Sequence, residues 1–162
     1  MTNYFNLLNL KQTYSIDKDE LENNYLKMQA KYHPDNINYQ EDRLEFLEKS
    51  SILNNAYEIL KNDIQRAEYL LKLNNVNVEN ACISKNIDLN EIYKQFELID
   101  NTNNLEDLKN MYDKKILVKN QLIANIKNSL DDKNDIQSAL THFVHLKYIN
   151  RLIKAIKGKN II

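Results

Sequence analysis

Apolar residues recur at helical spacing through most of this chain. One stripe, at intervals of four, three and four residues, is formed by Leu21, Tyr25, Met28 and Tyr32. Asp17 can cap the N-terminus of this helix, with Glu20 at the third helical position as in a capping box. Pro34 ends it, because proline lacks an N–H and its ring clashes with the preceding turn. The pattern predicts an amphipathic helix between Asp17 and Pro34.

Three other segments complete the first half. An apolar opening over residues 4–10 predicts one or two helical turns, and further helices are predicted over about residues 41–61 and 64–73. Residues 36–40 supply a polar loop. The stripe of the long third helix consists of Phe46, Leu53, Ala56, Tyr57 and Leu60.

The helical period lapses over residues 74–87, which are rich in asparagine, and this lapse is the candidate domain boundary. Beyond it, three helical patterns cover about residues 89–100, 105–130 and 136–157. Short polar turns join them, which favours antiparallel neighbours. We therefore predict an all-α protein with one domain over residues 1–75 and an antiparallel three-helix bundle over residues 76–162.

Composition excludes several classes of function. One glycine and one proline leave almost nothing for phosphate-binding loops. A net charge of −1 lacks the field that draws a protein to nucleic acid. No run approaches the ~18–20 apolar residues of a membrane span, and the first residues lack the features of a signal peptide. Cys82, alone, cannot form an internal disulfide. We expect a cytoplasmic protein with no nucleic-acid or membrane partner.

The tripeptide His33-Pro34-Asp35 is the sharpest motif in the chain. It follows the capped helix and precedes a polar loop and a helix that contains Leu53-Asn54-Asn55-Ala56-Tyr57-Glu58-Ile59-Leu60. With the Tyr4-Phe5 opening, this arrangement resembles a J-domain, the helical hairpin of the DnaJ family. On the residues alone, Pro34 could simply stop the helix and Asp35 cap the loop.

The J-domain resemblance implies that the tripeptide docks on the ATPase domain of a DnaK-type chaperone and triggers hydrolysis of its ATP. Lys27 and Lys31 would supply complementary charge that orients this docking, although they could equally form an ordinary solvated face. Such a module cleaves nothing itself, so the chain is not expected to be an enzyme. A small hydrolase using His33 and Asp35 would need further oriented groups and a pocket.

The second half of the chain indicates which family of J-domain proteins the whole chain resembles. Three segments carry the resemblance: Arg66-Ala67-Glu68-Tyr69-Leu70-Leu71, Gln95-Phe96-Glu97-Leu98 and Leu146-Lys147-Tyr148-Ile149. Nearly the whole chain looks like the HscB family, the J-type co-chaperones of iron–sulfur cluster biogenesis. That likeness implies a C-terminal bundle that binds an IscU-type scaffold and delivers it to the chaperone HscA. The alternative is a general J-domain co-chaperone that delivers unfolded clients to DnaK.

The resemblance also implies a scaffold-binding surface, with Phe96 as its anchor. By position, it would comprise Ile92, Tyr93, Phe96, Glu97, Asp100 and Tyr148. The apolar members lie at helical spacing with Leu89 and Ile99, so a bundle core could claim them instead. His142 and His145 are three residues apart and could share a metal, but no third ligand lies close in sequence except the acids of the preceding turn. We predict neither metal nor cofactor.

Overall fold

The computed structural model describes residues 3–32, 43–81 and 89–159, and over these ranges the chain is helical without strands. A π-helical turn, Asn128–Asp132, follows the seventh helix. The α-helices of these ranges are α1 (Tyr4–Leu7), α2 (Lys18–Lys31), α3 (Arg43–Lys61), α4 (Asp63–Leu73), α5 (Val78–Ala81), α6 (Leu89–Asn101), α7 (Leu105–Lys127) and α8 (Ile136–Lys157). The predicted all-α class is confirmed. Among the described helices, none combines the length and apolar character needed to cross a membrane.

The chain divides into two compact units, Met1–Leu70 and Leu71–Ile162. The domain limits taken from the sequence, 1–75 and 76–162, stay a prediction. Within the asparagine-rich segment that showed no sustained period, the structure contains the short helix α5. A single turn of four residues is too short to produce a periodic pattern, although its first residue, Val78, is only 2% exposed.

In the N-terminal unit, α2 begins where its cap predicts. Asp17 accepts hydrogen bonds from the backbone N–H groups of Asp19 and Glu20 at 2.8 and 3.1 Å. The helices α1 and α2 both pack on α3. The apolar side chains buried in this unit include Phe5, Leu8, Leu21, Leu53 and Leu60.

Arg66 is a buried cation in this unit, at 4% exposure. Its guanidinium donates to the backbone carbonyls of Tyr14 at 2.7 Å and Leu60 at 2.5 Å, and it pairs with the Asp63 carboxylate at 2.5 Å. The same group lies over the Tyr14 ring, 4.9 Å from its centroid. One side chain therefore ties α4 to the end of α3 and to the segment before α2.

The C-terminal unit is organised around α8. This helix packs along α7 and also contacts α5 and α6. One core cluster joins three helices, with Ile99 from α6, Leu108 from α7, and Leu152 and Ile156 from α8. The α7 pattern, predicted to run to residue 130, ends at Lys127 and passes into the π-helical turn, in which the N–H of Lys133 donates to the Asn128 carbonyl.

We predict that Arg66→Met lowers the free energy of unfolding of the N-terminal unit by about 3 kcal/mol, because two carbonyls lose a charged donor. Urea unfolding followed by circular dichroism measures the change. Arg151→Met, the same substitution at an exposed position of α8, is the control and should stay within about 0.5 kcal/mol of wild type. Equal midpoints for the wild type and Arg66→Met would contradict this assignment.

Candidate functional site

The hairpin of α2 and α3 is held together by two stacked aromatic rings. The rings of Tyr25 and Tyr57, here called the tyrosine clasp, lie 4.1 Å apart between centroids with 20° between their planes. The Tyr25 hydroxyl donates to Asn54 Oδ1 at 2.9 Å and accepts from Gln29 Nε2 at 3.1 Å. Ring stacking and hydrogen bonding together fix the spacing of the two helices.

A short polar chain completes the clasp. The Tyr57 hydroxyl donates to the Glu22 carboxylate and accepts from Lys61 Nζ at 2.8 Å. The bond to Glu22 raises the pKa of Tyr57, since it exists only while the phenol is protonated, and Lys61 partly opposes this effect. The bond to Tyr57 also raises the pKa of Lys61. The stability that the clasp contributes should therefore depend on pH in the alkaline range.

A second aromatic pair brings the end of α2 to the start of α3. Tyr32, the C-cap of α2, meets Phe46 edge to face with centroids 6.0 Å apart. Lys31 and Lys49 both lie over the Tyr32 ring, at 5.7 and 5.8 Å from its centroid. Lys31 thus lies against an aromatic surface while remaining exposed.

The chaperone-docking residues predicted from the sequence fall in two groups. Lys27 and Lys31 are exposed on α2, one turn apart. His33, Pro34 and Asp35 lie outside the described residues. The structure does describe the helices that precede and follow this segment in the chain, α2 and α3, and the clasp between them.

In the C-terminal unit, the structure brings Ile92 and Tyr148 into one groove. The two side chains come from α6 and α8 and line it together with Gln95, Val118, Leu122, His145, Ile149 and Leu152. Both Ile92 and Tyr148 are half-buried. Of the six residues predicted for scaffold binding, these two share this concave surface.

Three other predicted residues form an exposed stripe on α6. Tyr93 is 72% exposed, and Glu97 and Asp100 are exposed at four and seven residues further on. Lys159 Nζ donates to the backbone carbonyl of Asp100 at 2.6 Å, which places a cation beside this end of the stripe. The acidic stripe therefore has a cation at the Asp100 end.

Phe96, the predicted anchor, contacts the core of the bundle. It is partly buried and packs against the core cluster of Ile99, Leu108, Leu152 and Ile156. The same side chain that was expected to meet the partner therefore also supports the packing of α6 on the bundle. The core contact that the helical spacing left open is therefore present, while the anchor role of Phe96 stays a prediction.

The sequence analysis missed the contribution of α7. Val118, 43% exposed, and Leu122, 8% exposed, line the groove beside Ile92 and Tyr148. Their spacing of four residues was a usable signal, since it places both on one helix face. The face they share could be assigned only once the neighbours of α7 were known.

Polar contacts connect α6 and α7 beside the groove. Lys115 Nζ donates to Gln95 Oε1 at 2.6 Å, and Gln95 Nε2 donates to Glu91 Oε1 at 3.1 Å. Burial lowers the pKa of Lys115, and Glu91 partly offsets this effect. Burial, with His145 close by, likewise lowers the pKa of His142. In the part of the chain that the structure describes, no three potential metal ligands cluster.

Comparison with known proteins places these two units in a family. The DnaJ domain model matches residues 3–69. The chain is 38% identical over 79 residues to the co-chaperone protein HscB of Proteus mirabilis, an alignment covering 48% of this chain and 46% of the relative. It is 39% identical over 118 residues to HscB of Buchnera aphidicola subsp. Acyrthosiphon pisum (strain Tuc7), covering 71% of this chain and 66% of the relative.

The structural comparison covers more of the molecule. Chaperone HscB from Vibrio cholerae superposes with a TM-score of 0.85 at 25% identity, over 96% of both chains. The chain belongs to the HscB family of J-domain co-chaperones. The chain spans 46% and 66% of the length of these two HscB relatives, which is less than two thirds of each. The structural match to HscB, in contrast, covers both units.

The tyrosine clasp predicts a pH dependence. Because the folded-state pKa of Tyr57 is raised, its contribution to stability is complete below the ordinary tyrosine value of about 10 and is lost as the pH rises through the folded value. Tyr57→Phe should therefore lose less stability than wild type between about pH 9 and 12, measured as melting temperature against pH.

Tyr93→Phe is the matched control, since Tyr93 is 72% exposed and lies outside the clasp. It should follow the wild-type profile. If Tyr57→Phe and the wild type decline in parallel over this interval, the clasp does not couple to alkaline pH.

Proposed function

We propose that this chain is a co-chaperone of iron–sulfur cluster biogenesis that works as an adaptor with two docking surfaces. The observation that carries the proposal is the presence of a J-domain hairpin and a three-helix unit in one chain, an arrangement shared with HscB of Vibrio cholerae over 96% of both chains. The C-terminal unit binds an IscU-type scaffold, and the N-terminal unit stimulates ATP hydrolysis by the DnaK-type chaperone HscA. The chain acts in the cytoplasm and is not itself an enzyme.

The chaperone-facing surface consists of Lys27, Lys31, His33, Pro34 and Asp35. The clasp and the Tyr32–Phe46 contact support this role, because a hairpin whose helices are fixed loses little conformational entropy on docking. Exposed lysines on α2 favour an acidic partner and speed the encounter more than they add affinity.

The scaffold-facing surface consists of Ile92, Tyr93, Phe96, Glu97, Asp100 and Tyr148. Its support is a combination of an apolar groove with an exposed aromatic and acidic stripe on the adjoining helix. Aromatic side chains provide large contact area, while a charged rim selects the partner. A folded scaffold suits such a localised surface better than an unfolded client does.

The chaperone-facing proposal is tested by His33→Gln. We expect this variant to lose at least about tenfold in its stimulation of the HscA ATPase, because the proposed docking tripeptide loses its imidazole. Binding of an IscU-type scaffold should be unchanged. His142→Gln, the same substitution on α8, is the control and should stimulate normally. Full stimulation by His33→Gln would overturn the proposal.

The scaffold-facing proposal is tested by Tyr93→Ala, read by calorimetric titration with an IscU-type scaffold. Affinity should fall about tenfold at an unchanged melting temperature, because Tyr93 is 72% exposed and supports little of the core. Phe96→Ala should lower both affinity and melting temperature, since Phe96 also packs on the core cluster.

Leu105→Ala, at a 62% exposed position that begins α7, is the control and should change neither quantity. Unchanged scaffold affinity in Tyr93→Ala would remove the α6 stripe from the interface. Binding of denatured polypeptides in place of a folded scaffold would instead favour a general J-domain co-chaperone.

A further inference from the structure

The groove of the C-terminal unit has three walls rather than two. It is an open groove with a volume of about 220 Å³, and each of α6, α7 and α8 contributes to it. The lining residues include Ile92 and Gln95 from α6, Val118 and Leu122 from α7, and Tyr148 and Leu152 from α8. The surface predicted for scaffold binding includes residues of only two of these helices.

The groove has the size and chemistry of a receptor for a side chain. Its volume of about 220 Å³ is smaller than the ~300–1,000 Å³ usual for small-molecule sites. Leu122 and Leu152, at 8% and 1% exposure, form an apolar floor, and Val118, at 43%, stands at the accessible edge. An apolar side chain entering here would exchange water for contacts on three sides.

Gln95 is the one residue of this lining with a side-chain amide, and both the oxygen and the nitrogen of that amide already form hydrogen bonds. Its oxygen accepts from Lys115 and its nitrogen donates to Glu91. An apolar occupant therefore does not strip these groups of their hydrogen bonds. The Lys115 bond also ties α6 to α7, so two of the walls are held at a fixed distance before anything binds.

We propose that a large apolar side chain of the scaffold protein enters this groove and that Val118, over Leu122, is a contact residue for it. The inference rests on the proposed function, because Ile92 and Tyr148 belong both to the groove and to the proposed scaffold surface. A folded partner that covers those two residues necessarily covers the opening between them. The α7 wall then selects the size and polarity of the inserted side chain.

Val118→Gln tests the inference, with Leu117→Gln as its matched control. Both variants replace an aliphatic residue of α7 with the same uncharged amide, but Leu117, although 70% exposed, does not line the groove. Calorimetric titration with an IscU-type scaffold should show about tenfold weaker binding for Val118→Gln and less than about twofold change for Leu117→Gln. Melting temperatures verify that both variants are folded.

The outcomes separate this inference from the proposed function. If wild type does not bind the scaffold, the proposed function fails. If wild type binds and Tyr93→Ala weakens binding while Val118→Gln does not, the function stands and the α7 contact is overturned. Equal losses in both glutamine variants would also overturn it. Sedimentation tests for a different occupant of the groove. If wild type forms a dimer that Val118→Gln loses, while scaffold affinity is unchanged, the groove binds a second copy of the chain and the inference is overturned.

Discussion

The C-terminal unit depends on one constraint, which is that the apolar stripe of α6 must pack on α8 and yet remain accessible at one end. Ile99 on this stripe is fully buried, whereas Phe96 and Ile92 are both only partly buried. The buried end anchors the helix, and the other end borders the groove. A helix held in this way can present apolar surface to a partner without separating from the bundle, because its core contacts are complete in the absence of that partner.

The N-terminal unit depends on contacts that hold two helices at a fixed spacing. Its hairpin must hold two long helices at a fixed spacing, and it does so with the Tyr25–Tyr57 stack and the polar chain that continues through Glu22 and Lys61. Arg66 then ties α4 to the same body by donating to two backbone carbonyls. In both units, polar contacts set the geometry, while apolar burial supplies the larger part of the stability.

Local signals explain which features could be predicted from the sequence. Asp17 as a cap and the limits of α8 depend on neighbours within a few residues, and both were correct. The helical class followed from the near absence of glycine and proline. The position of Val118 in the groove could not be predicted in this way, because periodicity identifies a helix face without identifying what that face contacts. Phe96 shows the same limit, since spacing alone left open whether it contacts the core.

The two kinds of contact on the proposed scaffold surface have different physical consequences. Glu97 is exposed and surrounded by water, so its charge acts over a distance that salt shortens and mainly affects the rate of encounter. Leu122 and Leu152, already removed from solvent, gain contacts only when a side chain fills the groove, and those contacts must be broken before the partner can leave. Under the proposed function, the chain holds its client and then delivers it to the chaperone, and a small groove suits both steps. Because a groove of about 220 Å³ admits few side chains, it would limit the lifetime of the proposed complex, while the acidic stripe would keep its formation fast.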